Sequence, residues 1–376
     1  MKSQHRPRHA KLLGASNGCI LFSLALGVLG LPAQAQEFTG SGFASVILGK
    51  SLGQCTTTFL DAKYGDGCTR FVADWAHGGI YEDSWSAKPE TRLGLQGVAK
   101  FSPQLSATGQ VTARTAGDQH AALEWLYLTY QVSNEWTVQV GRKRLPLYYY
   151  SDFQDVGYAY NTIRPSPDVY GWDVVNYNGV SVSNTTAIGD WSVRSEVLYG
   201  SEKTKENASA KFFSPDPKTV EWKDIVNINA EVSKDWFTGR ISYTRFNMQQ
   251  TARNTGVVEI TGGPAFELLG MAFNADVGNW IFRSELGTAK MKSKDVDARF
   301  SLASLGYRVG SLTWTGGIST YRDDFGRFTT YTGGLRYEVH KGAALKLQFD
   351  RIRDASPIGS VLGSSRLISA SYDVMF

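Results

Sequence analysis

The stretch EVSKDWFTGRISYTRF, residues 231–246, contains the pattern that decides the fold. A short polar turn, Ser233-Lys234-Asp235, separates two stretches in which apolar and polar residues alternate, and a tryptophan follows the turn at once. Alternation with a period of two residues is typical of a half-buried β-strand, and two such strands joined by a short turn form a hairpin. The same combination recurs three times in the chain, as VSNEW at Trp136, IGDW at Trp191 and VGNW at Trp280.

Alternating runs continue along the chain after residue 36, and we find no helical stripe of any length among them. In TRLGLQGVAKF, for example, Leu93 and Leu95 alternate with Arg92 and Gln96. The runs are about 10 to 13 residues long, whereas strands of soluble proteins usually have about five or six residues. A tilted transmembrane β-strand needs roughly 9 to 11 residues. Strands that span a bilayer must close into a barrel, because lipid cannot satisfy an open sheet edge.

The joints between these runs alternate in length. We count sixteen runs, and every second joint is tight: SPQ, VSNE, IGD, SKD, VGN, VGS and HKGA. The other joints are mostly longer, and the longest are 51–90, 146–173 and 201–221. An even number of strands with short periplasmic turns and longer extracellular loops is the pattern of outer-membrane barrels. The sequence therefore predicts an all-β, antiparallel up-and-down transmembrane barrel of about sixteen strands over residues 36–376.

The tryptophans that follow the short turns have a physical role in such a barrel. Indole has an apolar body and a polar N–H group, which suits the boundary between lipid and headgroups. We expect a girdle at the periplasmic boundary of the membrane, formed by Trp136, Trp191, Trp236 and Trp280. Buried tryptophans of a soluble β-sandwich are the alternative.

Residues 1–35 have the organisation of a cleaved signal peptide. A basic start is followed by the apolar run CILFSLALGVLGL and by AQA, a small-x-small cleavage pattern. The apolar run is shorter than the roughly 20 residues of a transmembrane helix. The whole chain has 39 basic and 35 acidic residues, and four of the basic residues lie in 1–35, so the remainder is balanced. The basic character of the whole chain therefore gives no reason to expect a nucleic-acid partner.

Two cysteines remain after residue 35, Cys55 and Cys68. An even pair in an exported protein suggests a disulfide, which would lie in the long connection 51–90. Two free thiols, or a metal site that includes His77, are the alternatives. We expect the disulfide, with no metal and no cofactor.

The C-terminal run LISASYDVMF ends in Phe376 and has apolar or aromatic residues at Ile368, Tyr372 and Val374. In this run and in its strand count, the chain resembles the general Gram-negative porins, which are sixteen-stranded outer-membrane channels. The resemblance implies an outer-membrane location among lipid and lipopolysaccharide, a homotrimer, and recognition of Phe376 by the outer-membrane assembly machinery. It also implies that the third long connection folds into the lumen. No porin subfamily is matched.

The connection 146–173 is therefore the candidate constriction, with an exposed loop that caps the barrel as the alternative. Porins of this kind set loop carboxylates opposite wall arginines, and clusters of charge are a physical route to ion selectivity. The abundant tyrosines could instead favour sugar rings or aromatic solutes by stacking. The candidate constriction residues, which include the basic cluster just before the connection, are Arg142, Lys143, Arg144, Tyr149, Asp152, Asp155, Arg164 and Asp168.

The polar face of each strand is expected to line the lumen, because the lipid face must be apolar. On this face we count nine basic and six acidic residues, which predicts a weak preference for anions. A register error of one residue would move a charge to the other face. The candidate cations of the lumen wall include Arg92, Lys100, Arg114, Arg194, Arg240, Arg283, Arg308 and Arg336.

Passive diffusion of small hydrophilic solutes and ions is the function that this pattern favours. A substrate-specific channel of the same class, for an anion or for a sugar or aromatic solute, is the main alternative. A barrel enzyme or an adhesin is more remote, because the chain has no G-x-S-x-G, H-E-x-x-H or phosphate-loop motif and no long extracellular insertion. We expect no enzymatic activity.

Overall fold

The structure is a computed structural model, and it describes residues 37–53, 70–117, 120–213, 216–260, 266–291, 296–357 and 362–376. Residues 36–376 form one compact unit. The predicted signal peptide, residues 1–35, and the predicted disulfide between Cys55 and Cys68 lie outside the described residues.

Sixteen antiparallel strands form a closed barrel, which confirms the predicted fold class. The first strand, Glu37–Leu52, closes it, because Glu37–Ser45 pairs with Arg92–Lys100 and Phe43–Leu52 pairs with Arg366–Met375. The barrel strands are β1 (Glu37–Leu52), β4 (Arg92–Lys100), β5 (Leu105–Arg114), β6 (Ala121–Gln131), β7 (Trp136–Arg144), β8 (Asn176–Ile188), β9 (Trp191–Thr204), β10 (Lys218–Lys234), β11 (Phe237–Ala252), β13 (Phe266–Val277), β14 (Trp280–Met291), β15 (Val296–Val309), β16 (Leu312–Arg322), β17 (Arg327–His340), β18 (Ala343–Asp354) and β19 (Ser365–Met375).

The connections at one end of the barrel are tight turns, and those at the other end are mostly longer. At the tight end, Gly278 and Gly310 have φ angles of 58°, a conformation that favours glycine in two-residue hairpin turns. At the opposite end, the first long connection contains a hairpin of β2 (Phe71–Asp74) and β3 (Gly79–Tyr81), and the connection after β11 contains the short strand β12 (Val258–Ile260). A six-residue α-helix, Ala208–Phe213, lies between β9 and β10. In outer-membrane barrels the tight turns face the periplasm.

The outer face of the barrel is a band of exposed apolar side chains. On β18, for example, Leu345, Leu347 and Phe349 are exposed, whereas Lys346 and Gln348 between them are buried. The four tryptophans predicted to form a girdle, Trp136, Trp191, Trp236 and Trp280, are exposed by 36–52% and lie beside the tight turns. No described helix is long and apolar enough to cross a membrane.

The inner face of the barrel differs from the expectation that polar residues line it throughout. Towards the end with the long connections, an apolar cluster lies inside the barrel. Its wall members are Leu198, Trp222, Ile225, Phe246, Leu268 and Phe300. They pack against Leu145, Leu147, Tyr148 and Val169, which belong to the segment between β7 and β8. Part of the lumen is therefore filled by a protein core rather than by water.

Candidate functional site: the segment inside the barrel

The segment between β7 and β8 contains residues 146–173 and two short 3-10 helices, Ser151–Phe153 and Gly157–Ala159. It is anchored on one side of the wall by β11 and β14. Ser242 donates a hydrogen bond of 3.0 Å to the carbonyl oxygen of Pro146. The amide of Tyr149 donates a hydrogen bond of 3.0 Å to Glu285.

The same segment reaches the opposite side of the wall, on β16 to β19. Lys346 donates hydrogen bonds of 2.6 and 2.9 Å to the carbonyl oxygens of Gly157 and Thr162. Ser166 and Ser319 lie 2.6 Å apart through their hydroxyl oxygens. Since these contacts involve inward-facing residues of strands on both sides, the segment crosses the interior of the barrel.

Asp155 is the centre of a buried charge network at the start of this crossing. Its carboxylate pairs with Arg144 and, at 2.7 Å, with Arg114, and both arginines also pair with Glu124. Arg92 donates a hydrogen bond of 2.6 Å to the carbonyl oxygen of Asp155. Burial alone would raise the pKa of the Asp155 carboxyl, but Arg114 and Arg144 outweigh burial and hold this pKa well below its ordinary value. The carboxylate therefore stays ionised and ties the segment to β5 and β7.

Arg164 is the centre of a second buried network, farther along the segment. It donates hydrogen bonds of 2.7 and 2.6 Å to the two carboxylate oxygens of Glu90 and one of 2.7 Å to Asp350 on β18. Its guanidinium also lies 5.8 Å from the ring centres of Phe71 and Tyr81. Arg164 thus joins the segment, the first long connection and the wall.

Aromatic rings give the segment a rigid body of its own. Tyr150 makes edge contacts with Tyr149, Phe153 and Tyr160, with ring centres 5.0, 5.5 and 4.9 Å apart. The hydroxyl of Tyr160 donates a hydrogen bond of 3.0 Å to the carbonyl oxygen of Phe153. Edge-to-face packing of this kind adds about 0.5–1.5 kcal/mol for each pair beyond the area that it buries.

A chamber of about 590 Å³, which we call the periplasmic chamber, lies between the segment and the tight turns. Its aromatic side is formed by Tyr149, Tyr150, Phe153 and Tyr158 of the segment. Its charged side consists of Arg283, Arg308, Arg336 and Glu338 on the wall.

The three arginines of the periplasmic chamber differ in their partners. Arg283 pairs with Asp276, and Arg336 pairs with Glu338 at 2.7 Å and donates hydrogen bonds to carbonyl oxygens of the segment. The side chain of Arg308 makes no ion pair within the part of the chain that the structure describes, and it is exposed. Arg308 is therefore the chamber cation that is most available to a passing anion.

The structure places the predicted constriction residues in different surroundings. Arg144, Asp155, Arg164 and Asp168 are buried, so they hold the segment in place and do not face open solvent. Asp152 is exposed and Tyr149 is half-buried. Arg142 pairs with Glu202 at 2.7 Å, and Lys143 donates a hydrogen bond to Gln139 on the wall.

The predicted wall cations also divide into groups. Arg92, Arg114, Arg240 and Arg336 contact the segment. Arg283 and Arg308 line the periplasmic chamber. Lys100 pairs with Glu37 at 2.8 Å at the tight-turn end of β4, away from the segment, and Arg194 pairs with Glu196 at 2.9 Å.

Sequence reasoning missed the residues that receive the segment. Glu90 pairs with Arg164 of the segment, and Glu124 pairs with Arg144 at the end of β7. Neither glutamate belongs to a recognisable motif. The apolar wall residues had one usable signal. On β10, Trp222 and Ile225 break the strict alternation, and both are buried because the register shifts between them, whereas Ile228 is exposed on the outer face.

Comparison with known proteins gives likeness in structure alone. No protein-family model matches the sequence, and no curated protein matches it. Among solved structures, the outer membrane channel DcaP of Acinetobacter baumannii matches with a TM-score of 0.58 and 10% identity over 90% of this chain and 97% of that chain. OmpF of Salmonella typhi, in complex with daunomycin, has a TM-score of 0.57 and 11% identity over 91% and 98% of the two chains. OmpT of Vibrio cholerae, described as a trimer form, has a TM-score of 0.53 and 9% identity over 90% and 99%.

The fold and these neighbours define the class of protein. The chain is an outer-membrane β-barrel with the architecture of the Gram-negative porins. This result confirms the resemblance and the location predicted from the sequence, and it shows no subfamily.

Proposed function

We propose that this protein is an outer-membrane channel through which small hydrophilic solutes and ions diffuse passively. The observation that carries the proposal is the segment 146–173, which crosses the interior of a closed barrel beside a polar chamber of about 590 Å³. The test is recording from a planar bilayer that contains the purified protein. Discrete single-channel steps support the proposal, and a barrel that inserts without conducting contradicts it.

The segment 146–173 is proposed to be the constriction of this channel. Deleting residues 150–160 would remove both 3-10 helices from the lumen and should raise the single-channel conductance. A matched control is deletion of residues 253–256, an exposed turn after β11. Equal conductance of the two deletion variants and the unmodified protein would place the constriction elsewhere, in 51–90 or 201–221.

Weak anion selectivity is proposed for the open channel. Three arginines and one glutamate line the charged side of the periplasmic chamber, whereas the charges of Asp155 and Arg164 are neutralised within buried networks. A lumen that is shielded from bulk water strengthens the influence of each remaining charge. The reversal potential in a salt gradient measures this preference.

A substrate-selective channel is the second candidate function. It is favoured by the apolar cluster inside the barrel, because a lumen that is partly filled with Trp222, Phe246 and Phe300 leaves less room for bulk water. Saturation of the current at high solute concentration would favour this candidate over a general pore.

A homotrimer is the proposed assembly, since one of the similar structures is a trimer. Light scattering of the purified protein in detergent tests this proposal, and a monomer mass contradicts it. We propose no enzymatic role. The described histidines, His77, His120 and His340, lie on three different connections or strand ends, and no group of described residues is suited to hold a metal ion.

A further inference from the structure

A second chamber, of about 410 Å³, lies at the opposite end of the barrel, among the long connections. We call it the aromatic chamber. Its volume lies within the range of roughly 300–1,000 Å³ that is usual for small-molecule sites. Eight aromatic residues contribute to its lining: Trp75, Trp172, Trp222, Phe246, Phe266, Tyr321, Phe325 and Phe328.

The aromatic rings of this chamber form a packed wall. Phe246 and Phe266 are stacked with their centres 4.6 Å apart, and Trp172 contacts Phe266 edge-on at 5.0 Å. A wall of this kind lowers the local dielectric constant, and aromatic rings attract cations through their electron-rich faces.

The charges that line the aromatic chamber all have one sign. Among the described residues they are Asp168, Asp173 and Asp323, and the described part of the lining includes no lysine, arginine or histidine. Asp168 accepts a hydrogen bond of 2.7 Å from Ser319, and Asp323 accepts one of 2.8 Å from Tyr321. Among the described residues, none of the three carboxylates forms an ion pair. In contrast, Asp155 and Asp350 are both paired with arginine.

Two basic residues that flank lining residues of β16 and β17 point away from the chamber. Arg322 on β16 lies opposite Arg327 on β17 in the strand register, and both side chains are exposed. Their neighbours Tyr321 and Phe328 line the cavity. Because side chains alternate between the two faces of a strand, these arginines lie on the outer face. The chamber therefore combines aromatic walls with carboxylates that form no ion pair with any described residue.

We propose that the aromatic chamber is a binding site for organic cations, namely small alkyl- or arylammonium compounds. An ammonium group with apolar substituents satisfies both features, because aromatic faces and carboxylates each attract a cation and the apolar substituents fill the apolar space. An anion of the same size meets the opposite field. The site lies on the extracellular side of the segment 146–173, so a solute that enters from outside reaches it before the constriction. Only this order of events depends on the proposed channel function; the binding itself does not.

The test is isothermal titration of the purified full-length protein in detergent with three probes of similar size. They are phenyltrimethylammonium, benzyl alcohol and benzenesulfonate, which differ in charge. We expect phenyltrimethylammonium to bind at least tenfold more tightly than benzyl alcohol and benzenesulfonate not to bind. Equal affinity for the three probes, or no binding of the cation, overturns the proposal.

Two variants locate the site. Asp168→Asn together with Asp173→Asn should weaken binding of the cation at least tenfold, and Trp172→Leu should weaken it several-fold through a different part of the lining. Asp190→Asn is the control, because Asp190 is exposed at a tight turn of the barrel and lies outside the chamber. If both site variants fold and bind the cation with unchanged affinity, the proposal is overturned. A protein that binds the cation but gives no current contradicts the channel function alone, and one that conducts without binding contradicts this inference alone.

Discussion

Arg164 and Glu90 form a bidentate ion pair inside the barrel, with N–O distances of 2.7 and 2.6 Å. Arg164 belongs to the segment that crosses the lumen, and Glu90 lies at the end of the first long connection, immediately before Thr91 and β4. Asp350 on β18 accepts a third hydrogen bond from the same guanidinium. Since both side chains of the pair are almost fully buried, the pair fixes two long connections and the wall relative to one another.

Replacing Arg164 with alanine should destabilise the barrel and loosen the segment. The change leaves Glu90 and Asp350 buried without their cation, and removing one partner of a buried pair typically costs about 3–5 kcal/mol. We expect a lower urea midpoint of unfolding in detergent and larger fluctuations of the open-channel current.

The matched control for Arg164→Ala is Arg253→Ala. Arg253 pairs with Glu206 at the surface, where both side chains are well exposed, so its loss should cost less than about 1 kcal/mol. If the two variants unfold at the same urea concentration, the Arg164 network does not hold the segment in place.

The barrel itself could be predicted from the sequence because its signals are local. The alternation of apolar and polar residues identifies the two faces of each strand. The length of each connection indicates the end of the barrel at which it lies. All sixteen predicted strands correspond to strands of the barrel. The tryptophans beside the tight turns were equally visible, since each follows its turn directly in the sequence.

The interior could be predicted only in part, because its contacts join residues that are far apart in the chain. The sequence shows that Asp155 and Arg164 are charged, but it does not identify their partners. Arg114 lies 2.7 Å from Asp155, and Glu90 accepts hydrogen bonds from Arg164. Asp155 and Arg164 were candidate pore residues, but their buried ion pairs make them anchors of the segment. The wall residues Trp222 and Phe246 were missed for a related reason, since polarity alone cannot distinguish a lipid-facing side chain from one that packs against a segment inside the barrel.

Asp152 and Asp155 should respond differently to replacement by asparagine. Asp152 is exposed and interacts electrostatically with Lys143 and Arg194, so Asp152→Asn should increase the preference for anions. Asp155→Asn should mainly lower stability, because it leaves Arg114 and Arg144 with Glu124 as their remaining carboxylate partner. The measurements are the reversal potential in a tenfold KCl gradient and the urea midpoint. A larger shift of the reversal potential in Asp155→Asn than in Asp152→Asn would contradict this prediction.

Arg308 should dominate the anion preference that we propose for the periplasmic chamber. Its side chain is exposed and makes no ion pair in the described ranges of the chain, whereas Arg283 and Arg336 form ion pairs with Asp276 and Glu338. Arg308→Glu should therefore weaken or reverse the anion preference, measured as the reversal potential in a salt gradient. Arg353→Glu is the control, because Arg353 is exposed on β18 in phase with the outward-facing Leu347 and Phe349. A shift of the same size in both variants would mean that the chamber does not set the selectivity.

The C-terminal residue Phe376 contacts Gly42 on β1, where the barrel closes. The amide of Gly42 donates a hydrogen bond of 2.7 Å to the carbonyl oxygen of Phe376, and the amide of Phe376 donates one of 2.9 Å in return. A β-carbon at position 42 would lie 2.5 Å from the phenyl ring of Phe376, so any larger residue requires the ring to move. Gly42→Val should therefore displace the ring and lower stability by about 1–3 kcal/mol, the usual cost of overpacking.

A double-mutant cycle separates the clash from a general effect of valine in a strand. Phe376→Ala removes the ring, so Gly42→Val should cost much less in the Phe376→Ala background than in the unmodified protein, and the two changes should be non-additive. Gly333→Val is the control, because a β-carbon at Gly333 on β17 meets no atom within 4 Å. The measurements are the fraction of protein that refolds into detergent as a heat-modifiable barrel and its urea midpoint. Additive losses in the cycle, or an equal loss from Gly333→Val, would show that the contact between Gly42 and Phe376 does not stabilise the closure of the barrel.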